Sequence, residues 1–443
     1  MSQVENKNIE TNSVVALREA WESLDLENRR AIFFGLPRVD AEELFLSFYA
    51  EDQYELIDTL APLEIRSWIR LLAPDDAADI IQVAPNDRRD EFLNLLDDGA
   101  RREVVALLAY AEDEAGGLMS PRFIRLRPDV TADIAIRYIR IQARQEIELF
   151  HYAYVLDYEQ KLLGVVTFKE LFLAQPLKLV SEIMNTSIVS VREDMDQEEI
   201  GRLFSQHDLL AIPVVNDLGQ MQGIVTLDDI VTVVEEEATE DIQKLGGVSA
   251  LETSFLKIPL LLLFQKRVVW LMVLFVSEMF TASAMGYYEH EIAKAVVLAI
   301  FIPLIISSGG NSGSQASTLV IRALALHEIR IKDIFRVLSR EVLIGIMLGL
   351  TLGILGYLRI VFWPNTATIY GPHYELIGMT VAVSLVGVTL WGTLVGSTLP
   401  FVLKKLNLDP ATASAPFVAT LVDVTGLIIY FSVAKIFLTG ALF

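Results

Sequence analysis

No cysteine occurs in the 443 residues, which excludes disulfides, thiolate metal sites and thiol catalysis. The five histidines show no closely paired spacing of the kind a zinc site needs. Any metal bound here is therefore expected to be a hard cation held by oxygen. Basic charge is scarce as well: 36 Lys and Arg face 58 Asp and Glu, a formal net charge of -22. That balance repels phosphate backbones and anionic headgroups and attracts cations, so a divalent metal is the natural partner and nucleic acid is not. The opening stretch MSQVENKNIE is polar, without the basic and apolar regions of a secretory signal. The first 250 residues are accordingly expected to stay in the cytosol. Also missing are a Ser/His/Asp set, a zinc motif, an ATPase motif and paired aspartates in separate spans, so an enzyme is not expected.

What is present is unevenly placed. From Gln265 onward there are 12 Lys and Arg and 9 Asp and Glu, which leaves 24 and 49 in the first 264 residues. The acidity belongs to the soluble part. Beyond FLKIPLLLLFQKR, whose apolar run is too short to cross, lie five long apolar stretches: Val268 to Tyr288, Ala295 to Ile321, Val342 to Trp363, Leu376 to Leu403 and Ala413 to Leu438. Each covers the roughly 30 Å of hydrocarbon that about 20 helical residues span. Lys266 and Arg267 precede the first stretch; Arg322, Arg330, Lys332, Arg336 and Arg340 follow the second; Lys404 and Lys405 follow the fourth. Positive loops stay inside, so a multi-pass protein of the cell membrane is expected, amino terminus cytosolic and carboxyl terminus outside.

The soluble part repeats itself twice. Residues 21 to 115 read as short amphipathic helices, and LPRVDAEELFLSFYAEDQYELI at 36 resembles LAPDDAADIIQVAPNDRRDEFL at 72, the pattern of a small helical solenoid. Further on, LMSPRFIRLRPDVTADIAIRYI is echoed by IMNTSIVSVREDMDQEEIGRLF, and LLGVVTFKELF by MQGIVTLDDIV. Each half reads strand, helix, two strands, helix.

With AIPVV, a turn and GIVTLDD, this duplication resembles a tandem pair of CBS domains. In that family Gly, apolar, x, Thr, x, x, Asp can hold an adenosine nucleotide such as ATP, which would assign Thr226 to phosphate and Asp229 to ribose. The first copy has Glu170 in the Asp position, so at most the second site is intact. The competing reading is that Thr226 and Asp229 cap the following helix.

Helical acidic repeat, two CBS copies, the acidic helix VVEEEATEDIQKLGG and five spans containing SSGGNSGSQAS and VDVTG together resemble the MgtE-type magnesium transporter family over nearly the whole chain. The resemblance implies a multidomain protein: an α-helical solenoid N domain over 1–117, an α/β tandem CBS pair over 118–181 and 182–234, a connecting (plug) helix over 235–264, and an all-α five-helix transmembrane domain over 265–443. It further implies a homodimeric Mg2+ channel that cytosolic Mg2+ closes.

The residues bear on this directly. Asp423 sits deep in an apolar span, where a carboxylate costs about 2.5 to 3.5 kcal/mol, so it is expected to face a wet cavity or a partner. Ala419, Asp423 and Gly426 share a helical stripe that is small and acidic. Mg2+ keeps its waters and prefers oxygen ligands, so a carboxylate plus carbonyls can select it. In SSGGNSGSQAS the polar candidates for the pathway are Asn311, Ser314, Gln315 and Thr318, against plain helix packing. Glu278 is expected to line the vestibule or bond across helices. Ala415 stands before Pro416 where the family is expected to have a polar residue, which weakens a cytosolic-side pore site.

Glu237, Glu240 and Asp241 crowd one helix with Glu235 and Glu236, and like charges four apart destabilise it. By the resemblance, Mg2+ bridges this helix to Asp75 and Asp79, to Asp196 and Glu198, and to Asp208 and Asp229. A solvated acidic face is the plainer reading. Two rivals stand beside the channel: a membrane-anchored CBS nucleotide sensor, and a transporter of another divalent cation such as Co2+.

Overall fold

The computed structural model describes residues 17–18, 21, 24–142, 151–251, 255, 258–294 and 296–440. The polar opening stretch lies outside these residues, as does Ala295 at the head of the second predicted span. The chain forms two compact units that divide between Glu237 and Ala238.

From Leu26 on, the described residues of the first unit form seven short helices in succession, Leu26–Gly35, Arg38–Leu46, Ala50–Ile57, Pro62–Ile69, Pro74–Val83, Asn86–Leu95 and Asp98–Leu107. Local chemistry sets their starts. Asp25 and Asp97 accept from the first-turn amides of their helices, and Pro62 and Pro74 occupy first helical positions, where a missing N–H costs nothing. The pairs Arg38–Leu46 with Ala50–Ile57 and Pro74–Val83 with Asn86–Leu95 are the two sequence repeats. They share one core around Phe33, Phe45, Trp68, Ile80, Ile81 and Phe92.

Two three-stranded sheets follow. Strands β1 (Arg125–Leu126), β2 (Tyr152–Leu156) and β3 (Leu162–Thr167) form the first; β4 (Val191–Arg192), β5 (Ala211–Val215) and β6 (Met221–Thr226) form the second. In each the first pair is parallel and the second antiparallel, with the register shift at the same place, Val155/Leu156 and Val214/Val215. Helices Ala132–Gln142 and Phe168–Leu173 serve the first copy, Gln197–His207 and Leu227–Leu245 the second. The copies exchange edges: Ser120, which leads into the first, exchanges both backbone hydrogen bonds with Ile224 of β6 at 2.8 and 2.9 Å. Asn185, which leads into the second, does the same with Val165 of β3 at 2.8 and 3.0 Å. Gly223 permits this, because a β-carbon there would stand 2.8 Å from the Ser120 carbonyl oxygen.

Among its described residues the second unit holds five helices long and apolar enough to span a membrane: Leu260–Tyr287, Val296–Ala325, Ile331–Val361, Tyr374–Lys405 and Ala415–Leu438. The first starts earlier than the sequence reading has it. Leu260 to Phe264 are one helix with the rest, and the basic pair Lys266 and Arg267 lies inside it. Such side chains snorkel from a helix without breaking it. The connecting helix also differs, running unbroken from Leu227 in the second CBS copy to Leu245.

Small residues set the packing of the spans. Gly349 and Gly353 of the third span lie against Val386 and Ala382 of the fourth, where added β-carbons would come to 2.7 Å and 2.8 Å of backbone atoms. A β-carbon on Gly313 of the second span would come to 2.8 Å of the Gly392 carbonyl oxygen. The first span runs alongside the fifth, with Trp270 against Phe417 (5.9 Å between ring centroids) and Tyr288 stacked on Phe431 (4.8 Å). Among its described residues only Thr281 is buried.

Candidate functional site

In the membrane unit the polar segment of the second span divides between two faces. Gly309, Gly310, Ser312, Gly313, Ala316 and Ser317 are buried against neighbouring spans, whereas Asn311, Gln315 and Thr318, at helical spacings of four and three, are exposed on one stripe. Packing and an open polar face therefore both apply. Ser314 is half-buried, and its hydroxyl donates to the Ala415 carbonyl at 3.0 Å; Ser317 donates to the Ala413 carbonyl at 3.0 Å. These bonds fix the start of the fifth span on the second. Ala415, where a polar side chain is expected, contributes its backbone oxygen to that joint.

Asp423 is half-buried on the fifth span, beside Gly310 of the second. A β-carbon added to Gly310 would lie 3.3 Å from the Ala419 methyl and 3.8 Å from a carboxylate oxygen of Asp423. The absence of a side chain at Gly310 thus lets the second span pack closely beside the carboxylate. Gly426 is different: it is buried, and a β-carbon there would meet Val388 of the fourth span at 3.0 Å. Two residues on from Asp423, the Thr425 hydroxyl accepts from the Trp391 indole at 2.8 Å, which holds the fifth span against the fourth. Glu278 is exposed on the first span. The ring contacts of Trp270 with Phe417 and of Tyr288 with Phe431 bracket it at about the depth of Asp423.

In the first unit the predicted acids fall into distinct settings. Asp75 is buried in its helix, while Asp79, one turn on, is open to solvent. Asp196 caps the helix Gln197–His207, accepting from the Glu198 amide at 2.8 Å, and Asp208 ends the same helix in the left-handed region at φ 50. Glu237 accepts from the Gln197 side-chain amide. In the membrane unit Glu240 pairs with Lys244 at 2.6 Å. Among the described residues no three acidic or histidine side chains converge tightly enough to hold a metal ion between them.

What does converge is charge. Solvent reaches the Asp79 side chain, yet protein crowds it, and with the charges of Asp76, Asp229, Glu112 and Glu236 this pushes its carboxyl up to about 8. Asp229 is pushed up to about 7 by burial, with Asp228 and Asp76 adding repulsion, although the hydrogen bond from Thr226 works the other way. Burial, and then Glu51, Glu237 and Glu112, raise Glu236. Burial, and then Asp228, raise Asp76. The Tyr49 hydroxyl donates to Glu235 at 3.0 Å at the rim of this group. Asp76, Glu51, Glu112 and Asp228 were not legible as members, since their positions along the chain carry no spacing that links them. A group of carboxylates held close to protonation is one that a hydrated Mg2+ would relieve, through its waters as much as by direct ligation.

At the second CBS copy the Thr226 hydroxyl donates to Asp229 and Asp228, each at 2.5 Å, and the Thr226 amide donates to Asp229 at 3.3 Å. Thr167 and Glu170 repeat the device in the first copy, with amide and hydroxyl each 2.8 Å from the Glu170 carboxylate. The Glu in place of Asp keeps the cap with a longer arm.

Comparison with known proteins agrees with this division of the chain. The MgtE divalent cation transporter family matches residues 302–433, the MgtE intracellular N domain 12–113, and the CBS domain 115–176 and 180–236. The chain is 39% identical over 421 residues to the magnesium transporter MgtE of Thermus thermophilus, covering 94% of this chain and 91% of that protein. It is 32% identical to the protein of the same name in Bacillus subtilis, over 82% and 78% of the two chains. Among solved structures, the cytosolic domain of the Mg2+ channel MgtE in complex with ATP is 38% identical and aligns with 51% of this chain and 91% of its own, with a TM-score of 0.47.

Proposed function

The chain belongs to the MgtE family of magnesium transporters, and on that premise we propose that it is a homodimeric Mg2+ channel of the cell membrane that cytosolic Mg2+ closes. The family is not an enzyme family. The observation that carries the reading is Asp423, a half-buried carboxylate within the fifth span, beside Gly310 of the second. Mg2+ sheds water reluctantly, so a lone carboxylate suits a partly hydrated ion better than a dry cage would. The open stripe of Asn311, Gln315 and Thr318 would be costly against lipid, and a second copy of the chain would turn it inward. The uncovered first span fits the same assembly, which would bring two Asp423 side chains to one axis. Basic loops support a cytosolic amino terminus and an external carboxyl terminus. With no ATPase motif in the sequence, inward flow would draw on the membrane potential, about 2.3 kcal/mol per elementary charge per 100 mV.

Closing is assigned to the acidic groups. Mg2+ among Asp76, Asp79, Asp229 and Glu236, with Glu237, Glu240 and Asp241 further along the connecting helix, would offset their repulsion and hold one arrangement; its loss would release it. The carboxylates do not close into a single tight cage, which suits several weak sites that report cytosolic Mg2+. Adenosine nucleotide at the second CBS copy belongs to this reading too: Thr226 and Asp229 would have to trade their bonds to each other for phosphate and ribose.

Mg2+ flux into liposomes holding the purified full chain tests the reading, with Asp423→Ala beside the native protein at low and high Mg2+ on the cytosolic face. Native flux that high Mg2+ silences, and that the variant lacks, is the expected result. No native flux under any condition would leave the anchored sensor, and preference for Co2+ would leave the other-cation transporter.

A further inference from the structure

The helix Leu227–Leu245 carries one cation, Lys244, in its last turn. Its ammonium lies 2.6 Å from a Glu240 carboxylate oxygen and 2.7 Å from Oδ2 of Asp409, with all three side chains about two-thirds shielded from water. Burial works against the ammonium, but the hydrogen bonds to Asp409 and Glu240 outweigh it and raise its pKa. The other oxygen of Asp409, Oδ1, accepts from the Ala411 amide at 2.8 Å and so caps the short turn Pro410–Thr412.

That turn leads straight into the fifth span, and each residue between them is held. The Ala413 carbonyl accepts from Ser317, the Ser414 hydroxyl from the Trp270 indole at 3.2 Å, and the Ala415 carbonyl from Ser314. Beside them Leu245 packs against Ile321, Ala411 and Ala413. Just past the helix, Gly247 at φ +71 lies against Trp270, where a β-carbon would fall 2.5 Å from the indole nitrogen. Lys244 is thus tied through one carboxylate to the joint that seats the fifth span, eight residues before Asp423 counted from Ala415. An ion pair can carry a push only if both ends are held, and each end here has a second partner, Glu240 for Lys244 and the Ala411 amide for Asp409.

We propose that the Lys244–Asp409 ion pair is the link through which the connecting helix sets the cytosolic end of the fifth span, so that the acidic groups act on the pathway through a positioning lysine. This rests on the gating reading above. The link would be a two-ended strap: cut it, and metal still binds the acids while the pathway stops responding.

The test uses the full chain in liposomes, reading Mg2+ flux against cytosolic Mg2+ and, separately, Mg2+-dependent protection of the connecting helix from protease. Native protein must close at high Mg2+; if it does not, it is the gating reading that fails. Given native closing, Lys244→Gln and Asp409→Asn are expected to need about tenfold more Mg2+ to close, within the usual range of coupling between sites, while keeping native protease protection and native open flux. Lys244→Arg is expected to close normally, and the exchange of Lys244→Asp with Asp409→Lys to restore closing. Native closing in Lys244→Gln, or an exchange that restores nothing, would overturn the link. Should Lys244→Gln fail to assemble, Asp409→Asn and the exchange decide in the same way.

Discussion

Gly310 faces Asp423 across the joint between the second and fifth spans, and a single methyl group at Gly310 would stand 3.8 Å from the carboxylate and 3.3 Å from Ala419. The neighbouring helix would need to give by only a few tenths of an ångström. Gly310→Ala is therefore expected to assemble normally and to lower Mg2+ flux, because the methyl shifts the second span against the stretch of the fifth that carries Asp423. Overpacking of about 1 to 3 kcal/mol at the permeation barrier corresponds to roughly a five- to 150-fold loss of flux. Equal flux in native and Gly310→Ala protein would remove this contact from the pathway.

The two CBS caps separate structure from ligand binding. Thr167→Val and Thr226→Val each remove the hydroxyl of a cap, and each is expected to cost about 1 kcal/mol of stability in thermal unfolding of the full chain. Only Thr226→Val is expected to weaken stabilisation by added ATP. Equal responses to ATP would reduce Thr226 to a cap.

Gly223 offers a sharper test of the sheet exchange. Gly223→Ala drives a methyl to 2.8 Å from the Ser120 carbonyl oxygen and 2.9 Å from the Met119 side chain. The expected loss is about 1 to 3 kcal/mol, read as a lower unfolding midpoint. Gly219→Ala is the control with space around it, though its φ of +75 carries a backbone cost of its own.

Asp79 and Asp229 make the first unit sensitive to pH. Their folded values, about 8 and about 7, lie above the ordinary value of 3.8, so between those limits the folded state holds more protons than the unfolded one. The stability that protonation lends is complete below the unfolded value and is drained as pH rises, until it is gone above the folded values. Without Mg2+, the unfolding midpoint of this unit in the full chain is expected to fall as pH rises from about 5.5 to about 8.5, read by proteolysis at stepped temperatures. Added Mg2+ should flatten the slope by binding the deprotonated acids, and Asp79→Asn should flatten it without metal. A midpoint that climbs with pH would contradict the crowding of these carboxylates.

Much of this was legible in the sequence wherever a period carried it. The helical pairs 36 residues apart, the duplicated strand pattern and the five spans all follow from spacing. Misreadings came where a local rule met a tertiary neighbour. The run before Lys266 reads as a separate short segment, yet it is continuous with the first span as one helix that carries Lys266 and Arg267 without a break. Gly426 shares a helical stripe with Ala419, but Val388 of the fourth span covers it, and no periodicity within one helix reveals what another lays on top. The acidic group around Asp79 gathers Glu51, Glu112, Asp229 and Glu236 from distant parts of the chain, so its membership depends on the fold alone.

The exchanged edges of the two CBS copies bear on how the protein is made. Ser120 finds its partner only when Ile224 has been synthesised, and the first copy's β3 finds Asn185 only after the second copy has begun. At ribosomal speeds of about 5 to 20 residues per second, the earlier edge waits on the order of 5 to 20 s for its partner. During that interval it is an unpaired strand edge beside an incomplete sheet, open to the wrong neighbour. Synthesis rate across this stretch, and whatever shields the nascent chain there, therefore bear on the yield of folded protein before the first span leaves the ribosome.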